Sequence, residues 1–495
     1  MKIIKTAKLK ILSRTKSLEP TLEIYRSALA FYIDVVQKEW ENIKTFSNNR
    51  KMLVLENLTH KTKRRPIVKY DFDKSFYKFP DYFRRACIME ASGQVRAYAS
   101  SLENWQKEKT ETLAKGKKFH KKIPKLQLKH NDFPVFYKYN MFQKDENGKV
   151  KIKVFLNNDW VWTEVSLKTK ELLASKRPRF NGYSELSPKF VKKGKKFYLN
   201  FPYKKEVELS NKKEIIIDVD LGLTNTAVIS ALTATGTVLG RLYVNQPKEK
   251  DRLKHALSKL SKAKSISGNI KAPNYWRKIN NLQKAITQGT ANEIVKFAQE
   301  YGATVIVFEH LGKIKPPKGF YGAKKLRFKL QFWAKQTIFR KTLEKAHSAG
   351  LRVARVLARG TSQYAFDGSG EVSRNAKKDL ATFKTGKIYS SDLSSSYNVG
   401  ARYLIKVLQK TWSETLRLQV QAKVPELAVR TQQTLASLIK VQVVLGAIAK
   451  NTVVCLRHTA VPCIQAKEAL PVTLVLAERV HPYEIEKILV QELNK

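Results

Sequence analysis

At the start of the chain, MKIIKTAKLKIL alternates lysine with apolar residues, a two-residue period that predicts a strand within residues 1–18. The period then lengthens, and residues 19–115 read as a helical region. Within it Asp81, following Pro80, is the expected N-cap of a helix ending near Trp105. Phe83, Cys87, Ala91, Val95, Tyr98, Leu102 and Trp105 recur at helical spacing and form one apolar face. Arg84, Arg85, Gln94 and Arg96 fall on the other faces, where they either meet solvent or lie along a nucleic-acid backbone. Gln94 and Arg96 are also candidates to reach base edges.

Shorter strands follow in residues 116–210. VKIKVFLNN, VWTEVSL and KKFYLNFPYKK are separated by Asp-Glu-Asn-Gly and Lys-Lys-Gly-Lys-Lys turns, a pattern expected of a small barrel. Two basic clusters flank it. One carries Lys117, Lys118, Lys121 and Lys122; the other carries Lys192, Lys193, Lys195 and Lys196. Interleaved with Phe119, Phe190, Phe197 and Tyr198, they predict a polyanion-binding surface that also offers stacking rings.

From Glu214 the pattern changes again. Three strands, EIIIDVDLGL, TAVISAL and TVLGRLYVN, precede a basic helical pair, the buried strand ATVIVFEHLG, a helix over about 323–349 and the strand LRVARVLARG. A loop over 360–391 leads to a helix opening at DLSSSYNVGARYLIKVLQK. The order β-β-β-α-β-α-β-α predicts a mixed central sheet. The tail, 409–495, is richer in Val, Leu and Ala; a helix is expected through PELAVRTQQTLASLIKVQVVLGAIAK, and no catalytic motif is evident.

Composition narrows the function. A chain of 495 residues exceeds one ordinary core, and its 43% hydrophobic content suffices for two or three domains. Lys plus Arg number 94 against 42 Asp plus Glu, giving a net charge of +52 that repels itself unless a polyanion neutralises it. Nucleic acid is the expected partner. No signal-peptide block, basic amphipathic anchor or long apolar span stands out, so the expectation is a cytoplasmic, nucleoid-associated prokaryotic protein without a membrane partner. The three cysteines, Cys87, Cys455 and Cys463, include no Cys-x-x-Cys pair, so no four-cysteine zinc site is expected.

The strand IIIDVDLGLT carries two carboxylates in an apolar run, and an unpaired buried carboxylate is costly. Asp220 ends the first strand of the sheet, Glu309 ends the fourth, and Asp392 opens the helix after the fifth. Strands one and four can be neighbours, which would bring these acids together. Crowded carboxylates repel, and divalent cations relieve the repulsion. Oxygen ligands without thiolate favour two Mg²⁺ or Mn²⁺ ions, the arrangement that serves phosphodiester hydrolysis. Asp218 shares the face of Asp220 and is a rival or accessory ligand, His310 should face away, and Gly222 would admit a phosphate backbone. Read singly, Asp392 could be an N-cap, Glu309 a strand-end ion pair and Asp220 a turn residue.

At these residues the sequence resembles a RuvC-type nuclease of the RNase H fold, and more closely TnpB, the transposon-encoded RNA-guided DNA endonuclease related to type V CRISPR effectors. DLGLTN (220–225), VIVFEHL (305–311) and DLSSSYNVGAR (392–402) resemble the three RuvC motifs, and Gly-Thr-Ser-Gln (360–363) resembles the approach to a zinc-ribbon loop. The resemblance, covering most of residues 1 to about 405, implies an α/β multidomain chain. Its wedge-like barrel (1–18 and 116–210) would contain an inserted helical recognition lobe (19–115). An RNase H-like nuclease domain (211–359 and 392–408) would be interrupted by a target nucleic-acid-binding loop (360–391), with a tail of unassigned role. It also implies that Asp220, Glu309 and Asp392 are the catalytic metal ligands. The partners would be a guide RNA from the flanking transposon element and double-stranded target DNA bearing a short adjacent motif. Two departures stand out. Ala365 and Gly368 occupy the places of the family's first cysteine pair, so no zinc is expected there, and the loop must fold without zinc or order on nucleic acid. Ser394 replaces the first asparagine of the third motif, while Asn398 is kept, and the pair should share a helix face near Asp392. A compact type V CRISPR effector, an RNA-guided DNA-binding protein without cleavage and a structure-specific nuclease needing no RNA are the alternatives.

Overall fold

The computed structural model describes residues 1–13, 16–126, 133–144, 150–167, 180–209, 215–268, 271–312, 319, 333–376 and 378–458. The expected turn at 145–148, the first part of the expected helix over 323–349 and the tail beyond 458, with Cys463, lie outside the described residues. The chain divides into two compact units, Lys2–Glu206 and a second comprising Val207–Lys495 with Met1.

In the first unit, strand β1 (Lys2–Lys10) is followed by helices α1 (Leu18–Lys38), α2 (Trp40–Ile43), α3 (Asn48–Thr59), α4 (Phe72–Ser75) and α5 (Asp81–Ala114). Strands β2 (Phe142–Lys144), β3 (Val150–Leu156), β4 (Asp159–Val165), β5 (Ser184–Glu185), β6 (Lys189–Lys193) and β7 (Lys196–Glu206) complete it. Helix α1 buries Leu18, Leu22, Tyr25, Leu29, Tyr32 and Val36, a stripe at three- and four-residue steps, against α5, where Phe83 meets Tyr25 edge-on at 5.8 Å. Cys87 is buried on the same face, as its spacing predicts. Asn157 and Asn158 take positive φ in the β3–β4 turn, a conformation asparagine tolerates and a tight hairpin requires.

Several expectations are corrected here. Residues 1–18 hold a strand only over Lys2–Lys10, because α1 already begins at Leu18. Pro80, not Asp81, is the N-cap; Asp81 is the first helical residue and accepts from Arg84 at 2.7 Å. The helix runs on past Trp105 to Ala114, but burial fades after Val95. The described strands form two antiparallel sheets, β1-β7-β5 with β6 on β7, and β2-β3-β4, joined by an antiparallel bridge between Ile11 and Leu167.

The second unit contains β8 (Ile216–Asp220), β9 (Ala227–Leu232), β10 (Val238–Val244), α6 (Pro247–Ser267), α7 (Pro273–Glu300), β11 (Val305–Glu309), α8 (Lys335–Ser348) and β12 (Arg352–Val356). Then come β13 (Ser373–Arg374), β14 (Leu380–Thr382), β15 (Ile388–Ser390), α9 (Ser391–Thr411), α10 (Glu414–Lys423) and α11 (Leu435–His458). The sheet order is β10-β9-β8-β11-β12, with β11 parallel to both β8 and β12. Alternation sends Ile216, Val305 and Val307 into the core containing Leu404 and Leu438, and Ile217, Val219 and Phe308 into the core containing Ile294 and Ile338. The element order matches the sequence pattern, and strands one and four of the series are neighbours.

Residues 360–391, which contain no cysteine or histidine, carry a three-stranded ribbon, β13-β14-β15. Ala365, Ala381 and Phe383 are buried in it, Phe366 meets Phe383, Tyr389 and Tyr397 edge-on, and Asp367 accepts from the amide and hydroxyl of Ser369 and from Thr385. An apolar cluster and a turn carboxylate thus hold this ribbon. The described part of the tail is integral too: α11 lays Leu438 and Val441 into the core beneath α9.

Candidate active site

Phe308 pairs with Val219 in the parallel ladder, so the next residues, Glu309 and Asp220, end adjacent strands side by side. The carboxyl ends of parallel strands, where loops diverge, are where α/β sheets ordinarily place their chemistry. Asp392 arrives from the first turn of α9. Asn225 donates to its Oδ2 at 3.3 Å, which fixes it to the loop following β8.

The electrostatics record the crowding. Enclosure by protein pushes the Asp220 carboxyl well above the usual carboxylate range, and repulsion by Glu309 and Asp392 adds to it, opposed by the Arg374 guanidinium. Glu309 is also raised by burial, against a hydrogen bond from Thr361 and attraction to Arg402. Arg402, buried beneath, is brought down to about 10 by desolvation. Its guanidinium donates to the carbonyls of Leu357 (2.9 Å), Arg359 (2.8 Å), Thr431 (2.8 Å) and Gln433 (3.3 Å). Asn398 donates to Thr361 O (3.0 Å) and Tyr364 O (2.8 Å) and accepts from the amide of Leu435 (3.2 Å).

Asp218 is not a companion ligand. It is fully buried, accepts from Ser230, which sits 2.7 Å from Ser396, and burial drives its carboxyl well up toward the neutral form. Gly400 allows α9 to pass over it; a Cβ there would lie 3.1 Å from Asp218 Cγ. Gly222 is required by its own turn, since a Cβ would sit 2.7 Å from the Asn225 carbonyl, and it borders the Asp392 carboxylate, whose Oδ2 would lie 3.6 Å from that Cβ. Ser394 and Asn398 are both buried, and Asn398 is turned to the loop 361–364 and α11 rather than to Asp392. His310, at the strand end, places Nδ1 3.4 Å from Arg355.

The three acids supply hard oxygen donors whose mutual repulsion a divalent cation would relieve, so their chemistry fits Mg²⁺ or Mn²⁺. As they stand, no three acid, histidine or cysteine side chains among the described residues are grouped closely enough to hold a metal ion.

The curated "TnpB-like protein aq_aa05" of Aquifex aeolicus (strain VF5) is 26% identical over 249 residues, 46% of this chain and 81% of that protein. The chain is thus similar in sequence to a protein named TnpB-like. The Aq_aa04 family profile matches residues 5–156. Among solved structures, the mini-RNA-guided endonuclease CRISPR-Cas_phi3 aligns with a TM-score of 0.50 at 11% identity, covering 80% of this chain and 92% of that one. A Cas12f1–sgRNA–target DNA complex aligns with a TM-score of 0.41 at 13% identity, covering 81% and 99%. The chain thus has a mixed α/β fold like that of CRISPR-Cas_phi3.

The expected nucleic-acid residues fare unevenly. Arg84 is buried and bonded to Asp81 with Glu56 and His60 beside it, so it braces α5 against α3 and the preceding turn, whereas Arg85 donates to Glu56 at 3.1 Å and keeps 41% of its side chain exposed. Gln94 is partly buried, with its amide nitrogen enclosed, while Arg96 is exposed. Lys121 and Lys192 pair with Glu108 and Glu19; Lys117, Lys118, Lys122, Lys193, Lys195 and Lys196 are exposed. The rings do not offer a free surface. Phe190 is fully buried and stacked on Phe197, Phe119 packs on Trp105, and Lys8 covers Tyr198. Among the described residues, no helix is long and apolar enough to cross a membrane.

Sequence reasoning missed Thr361, Arg374 and Arg402. Thr361 and Arg402 lie inside stretches that the resemblance had marked, Gly-Thr-Ser-Gln and DLSSSYNVGAR, and the spacing of a lone arginine gave no signal for Arg374.

Proposed function

We propose that the protein is an RNA-guided DNA endonuclease, hydrolysing phosphodiester bonds of guide-matched DNA at a RuvC-like site built from Asp220, Glu309 and Asp392. The observation that carries this reading is the convergence of the three acids: neighbouring strand ends bear Asp220 and Glu309, and Asp392 lies near enough to raise the Asp220 carboxyl. The sequence likeness to a TnpB-like protein and the fold shared with a structure named as an RNA-guided endonuclease support it. Asp220, Glu309 and Asp392 would hold two Mg²⁺ or Mn²⁺ ions, which when bound supply activation of the attacking water and stabilisation of the leaving oxygen. The chain's own groups prepare that site. Thr361 orients Glu309, Asn225 orients Asp392, and Arg374 adds positive charge beside Asp220, which favours a phosphate there.

On this reading the two-sheet part of the first unit is the wedge-like element, α1 to α5 are the helical recognition lobe, and the ribbon 360–391 meets target DNA without zinc. The partners are a guide RNA from a flanking transposon element and double-stranded DNA with a short adjacent motif. The net charge of +52 suits both. The test is to purify the protein with its native flanking transcript, sequence the RNA that copurifies and assay a matched plasmid with Mg²⁺. Cleavage by wild type, with Asp220→Ala binding but not cutting, is the expected result. Binding without cleavage by wild type identifies a DNA-binding protein instead, and cleavage that survives removal of RNA identifies an unguided nuclease.

A further inference from the structure

Tyr139 lies in the turn joining Tyr137 to β2 with φ +69°, a left-handed conformation that bulky side chains rarely adopt. The turn is set by backbone bonds: the Tyr139 amide donates to Phe142 O at 2.8 Å and the Met141 amide to Tyr137 O at 2.9 Å. The tyrosine ring is 83% exposed, and it has no ring or cation partner among the described residues. An exposed aromatic ring on a strained backbone stabilises nothing in the folded protein itself, and such strain tends to persist where a site uses it.

The ring borders a cleft of about 520 Å³ whose walls include Gln143, Lys144, Lys151 and Glu185. Lys144 and Lys151 sit on β2 and β3, where Gln143 is paired with Lys151 and Lys144 with Val150; these adjacent rungs start on opposite faces of the sheet, and both lysines border the cleft. Both are exposed, and neither has an acid partner among the described residues. Glu185 is already satisfied, accepting from the Tyr203 hydroxyl at 2.9 Å and lying 3.3 Å from the Lys138 ammonium. The cleft therefore presents a bare ring with two uncommitted positive charges beside it. An apolar peptide would leave those charges unanswered, whereas an unpaired nucleotide answers both, stacking its base on the ring and placing phosphates against the lysines.

We propose that Tyr139 is a stacking platform for an unpaired base of a single-stranded polynucleotide, with Lys144 and Lys151 holding the adjoining phosphates. This rests on the nucleic-acid-binding part of the reading above and not on cleavage. The experiment measures binding of the full chain to labelled oligouridine RNA and oligothymidine DNA at raised salt, which suppresses the non-specific backbone attraction. Asparagine accepts the left-handed backbone readily, so Tyr139→Asn keeps the melting temperature at or above that of wild type while its affinity falls about tenfold for at least one oligonucleotide. Tyr139→Phe keeps its affinity within about twofold, because the ring and not the phenol does the stacking. The oligonucleotide that loses affinity identifies RNA or DNA as the source of the base. Undiminished binding of both by Tyr139→Asn overturns the platform and leaves the nuclease reading, scored by plasmid cleavage, untouched. Absence of binding by wild type to either oligonucleotide also overturns the platform, and plasmid cleavage still decides the nuclease reading.

Discussion

The hydroxyl of Thr361 is hydrogen-bonded to the carboxylate of Glu309, tying the ribbon that follows β12 to the end of β11. The same hydroxyl lies 2.8 Å from the Ala358 carbonyl, and Thr361 is almost wholly buried. Thr361→Val keeps the shape and loses the bond, so cleavage is expected to fall by about tenfold at unchanged target affinity. Thr361→Ser should restore most of the rate. Plasmid cleavage under single-turnover conditions, with binding measured in parallel, checks this; equal losses in rate and affinity would show a general disruption instead.

Asp218 and Asp220 are two residues apart and should respond oppositely to the same change. Asparagine replaces the buried Asp218, whose carboxyl burial drives toward the neutral form, with a near isostere that can still meet Ser230, so Asp218→Asn should change stability by no more than about 1 kcal/mol and retain cleavage. Asp220→Asn should fold normally and lose cleavage. Denaturant midpoints and plasmid assays on the two variants distinguish them, and an inactive Asp218→Asn with normal stability would contradict the assignment.

Glu39 gives a pH signature. Hydrogen bonds from Lys69, Asn42 and Tyr70 hold its carboxyl at about 2, below the ordinary value of 4.5. A carboxyl lowered on folding stabilises the native state above its unfolded value, and that stability is lost as pH falls from about 4.5 through about 2. Because Lys69 is largely exposed, solvent screening limits the contribution to about 2 kcal/mol. Glu39→Gln should flatten the acid limb of the stability curve in that window and change little in slope near neutrality, as read from urea midpoints across pH.

The ribbon 360–391 should be indifferent to chelators. Strong zinc chelation is expected to leave its amide-exchange protection unchanged, whereas Phe383→Ala, which empties the cluster around Phe366 and Tyr389, should cost about 3 kcal/mol locally. Loss of protection on chelation alone would mean that a metal holds the ribbon after all.

Periodicity located the strands and helices of the second unit because each is long, regular and flanked by turn residues. It also placed Asp220 and Glu309 at strand ends and Asp392 at a helix start. What local pattern could not convey was who meets whom at a distance. Arg84 reads as a surface cation, yet it is buried against Glu56, from the earlier helix α3, and Asp81. Phe190 read as a stacking ring because its strand neighbours are lysines, but alternation turns it into the core. The ribbon's fold was equally hidden, since small residues at the cysteine positions say what is missing and not that Phe366, Phe383 and Tyr389 fill in. Thr361, Asn398 and Arg402 act through backbone carbonyls and carboxylates that only the assembled unit brings within reach.

The grip of Arg402 has an implication for anyone shortening this chain. Two of its four acceptors, Thr431 and Gln433, belong to the segment after α10, and the amide held by Asn398 opens α11. A version ending at residue 412 would strand a guanidinium in an oily interior with half of its acceptors gone, a heavier penalty than losing surface contacts. The strand-end acids and the C-terminal helix are therefore one cooperative body, and trimming for a more compact protein should begin elsewhere.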